Sequence, residues 1–167
     1  MDETPPSGVE IERKFLVDRL PDGLGEGDRI EQGYLAIGED GVEVRVRRRG
    51  GDMTLTIKSG PGMTRTEEEL AIDTRRFESL WPLSEGRRVT KTRHLIPLDG
   101  DVTIEFDVYS GAHDGLLTAE IEFPSVEASE AFEPPAWLGR EVTGDGSYAN
   151  QALALQGRSP GPTDRPR

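Results

Sequence analysis

Residues 101–109 read DVTIEFDVY, a stretch in which the side chains alternate in character from one residue to the next. The even-numbered positions, such as Ile104 and Phe106, are apolar, whereas Glu105 and Asp107 between them are acidic. Successive side chains of a β-strand point to opposite faces of the sheet. This stretch therefore predicts a strand with one apolar face and one face that carries carboxylates.

The same period of two recurs on both sides of this stretch, and clusters of glycine, proline and aspartate separate the alternating segments. The pattern predicts eight strands, at residues 9–17, 28–37, 42–49, 52–59, 65–73, 86–96, 101–109 and 116–123. Helical patterns lie near 74–81, 125–132 and 146–156, the last of them capped by Asp145. Because the connections are short, we expect a mostly antiparallel meander, and closure would remove its edges.

The polar faces of seven strands carry charges of both signs, in pairs of the form E-x-E, R-x-R and K-x-R. For one strand alone, the ordinary interpretation is the solvated face of an antiparallel sheet. Solvated faces are typically rich in threonine, lysine, glutamine and serine, whereas here carboxylates and guanidiniums recur together. We therefore predict the α+β fold class: an eight-stranded antiparallel β-barrel, or tunnel, with a charged lumen and short helices packed outside.

The bulk composition narrows the possible functions. The chain has 167 residues, enough for one domain, which we place at residues 9–156 between flexible tails at 1–8 and 157–167. The net charge of −12 is unlike that of a nucleic-acid-binding surface, which is normally basic. The absence of cysteine excludes disulfides, thiolate zinc sites and a cysteine nucleophile. Without a signal peptide or a membrane-spanning run, we expect a cytoplasmic protein with no nucleic-acid or membrane partner.

The charged faces also predict a chemistry. Clustered carboxylates repel one another and need a metal ion or neighbouring cations. Ligands that are all oxygen, in a chain without cysteine, indicate a hard ion, Mg²⁺ or Mn²⁺, as the cofactor. The arginines and lysines suit a polyanion, because guanidinium binds phosphate bidentately. Together these groups indicate phosphoryl transfer, and cations spread over several strands suit a small-molecule triphosphate.

Charged motifs follow one another in a distinctive order along the chain. They are E-x-E-x-K at Glu10, Glu12 and Lys14, R-x-R at Arg45 and Arg47, a lysine at Lys58, E-x-E at Glu67 and Glu69, K-x-R at Lys91 and Arg93, E-x-D at Glu105 and Asp107, and E-x-E at Glu120 and Glu122. This series resembles that of the CYTH superfamily, the triphosphate tunnel metalloenzymes, over about residues 9–156. E-x-E-x-K by itself is weak, whereas the ordered series is specific. The resemblance implies an eight-stranded tunnel and metal-dependent chemistry on a triphosphate.

The resemblance also implies a role for each matching residue. The implied metal ligands are Glu10, Glu12, Glu105, Asp107, Glu120 and Glu122. The implied contacts to the triphosphate are Lys14, Arg45, Arg47, Lys58 and Arg93. Arg65 joins them because the alternation places it on the same face of its predicted strand as the motif residues. Lys91, and Tyr34 in the segment QGYL, would lie close to the chemistry, although an aromatic residue in a strand is more often a packing residue. Glu67 and Glu69 would hold a second metal or orient the attacking water.

Members of this superfamily catalyse several reactions, so the reaction itself stays open at this point. The short chain, without a nucleobase-reading motif, favours hydrolysis of inorganic triphosphate to diphosphate and phosphate. The alternatives are hydrolysis of thiamine triphosphate or a nucleoside triphosphate, adenylate cyclisation of the class IV type, and a polyanion-binding module without turnover. Relatives commonly carry a basic residue where this chain has Ser147. Relatives also often dimerise, and a homodimer would help to cover apolar outer faces.

Overall fold

The structure is a computed structural model, and it describes residues 11–59 and 66–156. The side chain of Thr66 is not part of this description. The predicted tails at 1–8 and 157–167 lie outside the described residues, as do the predicted metal ligand Glu10 and the predicted substrate contact Arg65.

Each of the eight predicted strands is present, and all three predicted helices form. The strands are β1 (Ile11–Leu16), β2 (Asp28–Ile37), β3 (Glu43–Arg49), β4 (Asp52–Ser59), β5 (Thr66–Ala71), β6 (Arg88–Pro97), β7 (Thr103–Ser110) and β8 (Leu117–Phe123). The helices are α1 (Thr74–Leu80), α2 (Val126–Ala131) and α3 (Asn150–Gln156). Short 3₁₀ turns cover Trp81–Ser84, Gly111–His113 and Gly146–Tyr148. No helix in the described ranges is long and apolar enough to cross a bilayer.

The strands form one antiparallel sheet in the order β1-β8-β7-β6-β2-β3-β4-β5. The predicted meander is therefore wrong where β6 pairs with β2 instead of β5, so that β2 does not pair with β1; the β1–β8 pairing is the one that closure of a meander requires. The connection from β5 to β6 contains α1, which packs across β3 and β4. The chain thus passes over the outer face and returns beside β2 instead of β5. Within the described ranges, β1 and β5 are the end strands and no ladder joins them.

The outer face of the sheet forms one hydrophobic core. Its fully buried members include Phe15, Ile104, Phe106 and Ile121, and α2 contacts β1 and β8 beside them. Burial of each such side chain stabilises the fold by roughly 1.5–3 kcal/mol. The even-numbered residues of the DVTIEFDVY stretch therefore face this core, as the alternation predicts.

Helix α1 covers another part of the outer face. Phe77 of α1 is buried, and the guanidinium of Arg48 lies 4.4 Å from its ring centroid. At Gly33 of β2, a Cβ atom would collide with Ser84 of the following 3₁₀ turn. A glycine at this position therefore lets the turn sit directly against the strand.

Helix α3 does not pack outside the sheet, contrary to the prediction. Its Leu153 and Ala154 are buried against Tyr34, Val89 and Tyr109, which lie on the same strand faces as the charged motifs. The inner face is apolar at this end, because aromatic and aliphatic residues replace the charged ones there. The apolar side of α3 therefore packs against the inner face, where it lies against β6 and β2.

Candidate active site

One cavity of about 500 Å³ occupies the inner face of the sheet, and residues of all eight strands and of the 149–151 segment line it. Its cationic lining residues are Lys14, Arg45, Arg47, Arg49, Lys58, Lys91 and Arg93. Its acidic lining residues are Glu12, Glu43, Glu67, Glu69, Glu105, Glu120 and Glu122. Among the described lining residues, cations and carboxylates are equal in number, although the whole chain carries a net charge of −12. The lining is therefore close to neutral in a protein that is acidic elsewhere.

Strands β3 and β4 form a cationic wall. Arg45 lies 3.6 Å from Glu43, Arg47 lies 3.3 Å from Glu69, and Lys58 lies 3.4 Å from Glu67. These contacts are longer than the 2.7–2.9 Å of strong charge-assisted hydrogen bonds. Arg45 Nε is buried and has no hydrogen-bond partner among the described residues. The wall therefore keeps donor capacity for a further anion.

Arg47 illustrates how strongly positive this wall is. Its pKa is lowered, first by burial and then by the neighbouring charge of Arg45. A bound anion would relieve that repulsion, because the guanidiniums would then share a negative partner.

Strands β1, β8 and β7 form a carboxylate wall on the other part of the cavity. Glu12 lies directly opposite Glu122 in the β1–β8 pairing, and Glu105 lies opposite Glu120 in the β7–β8 pairing. Like charges directly opposite each other destabilise a sheet unless a cation compensates them. Lys14 lies 3.6 Å from Glu120, whereas Glu122 forms no ion pair within the part of the chain that the structure describes.

The donor set of this wall suits a hard divalent cation, because it offers only carboxylate oxygens from neighbouring strands. In the described conformation, however, no group of three or more acidic or histidine side chains is gathered closely enough to ligate one metal; this holds for residues 11–59 and 66–156. The strand register supplies opposed carboxylate pairs.

A buried ion-pair network lies beneath the cavity. Asp107 is 2% exposed, and it accepts a hydrogen bond of 2.6 Å from Lys91 Nζ. Arg93 donates to both Asp107 oxygens at 2.8 Å and to Glu105 at 2.5 Å. Asp107 is not among the residues that line the cavity. The predicted metal ligand Asp107 therefore acts as the counter-ion of two cations in this structure.

The ionisation of this network follows from its burial and its pairing. Burial by itself would raise the pKa of Asp107, but the hydrogen bond from Arg93 and the charge of Lys91 outweigh it, so the pKa is lowered. The pKa of Lys91 is lowered mainly because burial disfavours the ammonium form, and Asp107 opposes this effect. Lys91 is thus a fully buried amine whose charge depends on one carboxylate.

The three other predicted catalytic residues differ in their surroundings. Tyr34 lines the cavity, is 1% exposed, and its hydroxyl accepts a hydrogen bond of 2.8 Å from Gln32 Nε2. Burial raises the pKa of Tyr34, so the phenol keeps its proton at neutral pH. Glu67 and Glu69 are exposed at the edge strand β5, and Glu69 also accepts from Thr56 Oγ1 at 3.3 Å.

Two relatives of known name indicate the family of this chain. The chain is 47% identical over 147 residues to an inorganic triphosphatase of Nitrosomonas europaea, a match that covers 88% of this chain and 97% of the relative. It is 38% identical over 149 residues to an inorganic triphosphatase of Acetivibrio thermocellus, over 87% and 93% of the two chains. The chain belongs to the inorganic triphosphatase family. No protein-family model matches it.

Solved structures agree with membership of the inorganic triphosphatase family. The crystal structure of an inorganic triphosphatase superposes with a TM-score of 0.74 at 46% identity, over 88% of this chain and 95% of that one. A putative adenylate cyclase from Bacillus halodurans reaches a TM-score of 0.52 at 17% identity, over 73% and 84%. The second likeness concerns the fold alone.

The cavity of this inorganic triphosphatase family member also contains residues that the motifs did not indicate. Arg49 lies on the same inner face of β3 as Arg45 and Arg47, and Gln32 lies on the same face of β2 as Tyr34. Alternation alone could therefore have found both residues. Asn150 has no such signal, because it comes from α3.

Ser147 lies outside the cavity. Its hydroxyl donates to Asp145 at 2.6 Å, and it is not among the lining residues of the cavity. Ser147 therefore lies within the Gly146–Tyr148 turn, and the N-cap of that turn is Asp145.

Proposed function

We propose that this chain hydrolyses inorganic triphosphate to diphosphate and phosphate, within a CYTH-type tunnel formed by the curled eight-stranded sheet. The observation that carries the proposal is the shared cavity, in which an arginine-rich wall faces a carboxylate wall. Membership of the inorganic triphosphatase family supports the same substrate class. The cavity lining is almost entirely charged and polar, which suits a bare triphosphate better than one with an organic group attached.

The cationic wall would bind the phosphoryl oxygens. Among the described residues, the ion pairs of Arg45, Arg47 and Lys58 are 3.3–3.6 Å long, so these cations can exchange a carboxylate for a phosphate oxygen. Lys14 adds a cation from β1. Arg93 uses three N–H groups on Asp107 and Glu105, which leaves two of its five donors for substrate.

The carboxylate wall would hold Mg²⁺ or Mn²⁺ through Glu12, Glu120 and Glu122, with Glu105 beside them. A divalent cation bound there would neutralise phosphoryl oxygens as a Lewis acid. Glu120 is already compensated by Lys14. Glu122 has no ion-pair partner in the described ranges.

The reaction needs a water, a proton acceptor and a stabilised leaving group. Water would attack a terminal phosphorus, the bridging P–O bond would break, and diphosphate would leave with the electron pair. Glu67 or Glu69 would orient the water and take its proton, since both reach the cavity from the solvent side. Lys91 and the neutral phenol of Tyr34 would donate to phosphoryl oxygens as negative charge develops on them.

Metal dependence gives one test of the carboxylate wall. We expect a chelator to abolish phosphate release and added Mg²⁺ or Mn²⁺ to restore it. Glu122→Gln should raise the metal concentration for half-maximal activity by roughly tenfold or more, because it removes a charged oxygen from the site. Metal titration of phosphate release measures this. Glu127→Gln, on exposed α2, is the matched control; equal titration curves for both variants would contradict the assignment.

A substrate panel tests the reaction itself. Purified protein with Mg²⁺ or Mn²⁺ should release phosphate from triphosphate with a higher kcat/KM than from thiamine triphosphate, ATP or long-chain polyphosphate. A reversed ranking would support an organic triphosphate as substrate instead. Cyclic AMP detected by chromatography would indicate a cyclase, and triphosphate binding without any turnover would leave a polyanion-binding module.

The proposal extends to the partners. We expect the substrate to be the physiological partner, with no nucleic acid or membrane bound, in a cytoplasmic homodimer. Ile57 and Leu70, on the outer face of β4 and β5, are 39% and 50% exposed, which is consistent with a second copy at this edge. Analytical ultracentrifugation of the full chain measures the oligomeric state.

A further inference from the structure

The side-chain amide of Asn150 lies where α3 meets the cavity. Asn150 is half-buried and lines the cavity. Its Oδ1 accepts a hydrogen bond of 2.9 Å from the Tyr109 hydroxyl and a longer one of 3.5 Å from Lys91 Nζ. The network beneath the cavity is thereby connected to the C-terminal helix.

These two contacts determine which way the amide points. An ammonium group can only donate, so the atom of Asn150 that faces Lys91 must be the oxygen. Burial raises the pKa of Tyr109, so its hydroxyl also keeps a proton to donate. The Nδ2 group therefore points away from both partners. Neither of its two N–H groups has an acceptor within the described part of the chain.

The backbone that carries Asn150 is held firmly. Lys14 Nζ donates to the Tyr148 carbonyl at 2.9 Å, and the imidazole of His113 contacts the Leu153 carbonyl at 2.7 Å. Leu153 is fully buried in the inner apolar cluster. An amide on such a segment is preorganised, and little side-chain entropy is lost when it binds a ligand.

We propose that Asn150 is a substrate-binding residue, whose Nδ2 donates a hydrogen bond to a phosphoryl oxygen at the end of the cavity covered by α3. The inference rests on the proposed function, because it needs a triphosphate in the cavity. A neutral donor would fix the position of the phosphate chain without adding to the repulsion among the cations. Neither the charged motifs nor strand parity assigns this residue a role.

Asn150→Asp separates this role from a structural one. The aspartate keeps an oxygen for Tyr109 and Lys91 but loses both N–H groups. We expect KM for triphosphate to rise about tenfold to a hundredfold, the range for a lost hydrogen bond to a charged group, while Tm stays at the wild-type value or above it. Gln151→Glu is the charge-matched control, since it adds the same charge to the neighbouring lining residue.

The outcomes differ for each alternative. KM for Asn150→Asp that is unchanged, or raised no more than in Gln151→Glu, would overturn the inference. The inference would also fail if Asn150→Ala lowered Tm and activity and Asn150→Asp restored both, because Asn150 would then only position α3. If the wild type releases no phosphate, the proposed function fails, and calorimetric binding of triphosphate to the same variants still tests Asn150.

Discussion

Substitution of Lys91 by methionine is expected to lower kcat for triphosphate hydrolysis about a hundredfold or more, the usual cost of losing a preorganised donor to developing negative charge. Lys91 is 4% exposed, lines the cavity and reaches Asp107 at 2.6 Å. Methionine fills similar space without the charge. Asp107 keeps both hydrogen bonds from Arg93, so the fold should persist. Steady-state kinetics, with circular dichroism on the same sample, measures both effects.

The control for this prediction is Arg76→Met, which removes a cation from the exposed surface of α1. The Arg76 side chain is 71% exposed, and within residues 11–59 and 66–156 its ion pair is with Asp73 at its own helix end. It should retain the wild-type kcat. A folded Lys91→Met variant with near-normal kcat would remove Lys91 from the proposed mechanism and leave it a structural cation.

Substitution of Asp107 by asparagine should produce the largest loss of stability, about 3–5 kcal/mol in the free energy of unfolding, the cost of removing one partner of a buried ion pair. Asp107 is the shared counter-ion of Lys91 and Arg93, whose side chains are themselves 4% and 14% exposed. Asparagine preserves the shape but leaves two largely buried cations without their common carboxylate. Urea unfolding, with the slope compared between variants, measures the change.

Two further variants test this explanation. Asp101→Asn removes an exposed acid from the turn between β6 and β7, and it should change stability by less than about 0.5 kcal/mol. The double variant Lys91→Met with Asp107→Asn should be less destabilised than the sum of the single variants, because it removes both members of a pair. Additive effects would mean that the two side chains are not energetically coupled.

The strands were predictable because their determinant is local. A period of two depends only on neighbouring residues and on which face of the strand meets apolar surroundings. The predicted and observed ranges of β2 and β4 coincide, and α1 and α2 lie within their predicted ranges. The order of the strands could not be predicted in this way, because the β1–β8 and β2–β6 pairings join segments that are far apart in the chain.

The lining of the cavity was predictable only as far as alternation along a strand assigns each side chain to one face. The structure brings Glu12, Lys14, Arg45 and the later motif residues to one cavity, with Asp107 beneath it. Alternation predicts on which face of the sheet a side chain lies, but it does not predict how deeply that side chain is buried. It therefore could not distinguish the exposed Glu67 from Asp107, whose oxygens are both engaged by cations.

The sequence by itself determined the eight alternating strands, the inward charged face and the carboxylate and guanidinium chemistry of that face, because side-chain alternation is a property of each strand alone. Only the tertiary structure decided that β2 lies beside β6, that α3 packs on the inner face, and that Asn150 enters the cavity. These features depend on which surfaces are left apolar once the sheet has formed. The DVTIEFDVY stretch illustrates both contributions. Its alternation places Asp107 on the inner face, and the pairing of β6 with β7 places two cations, Lys91 and Arg93, beside it.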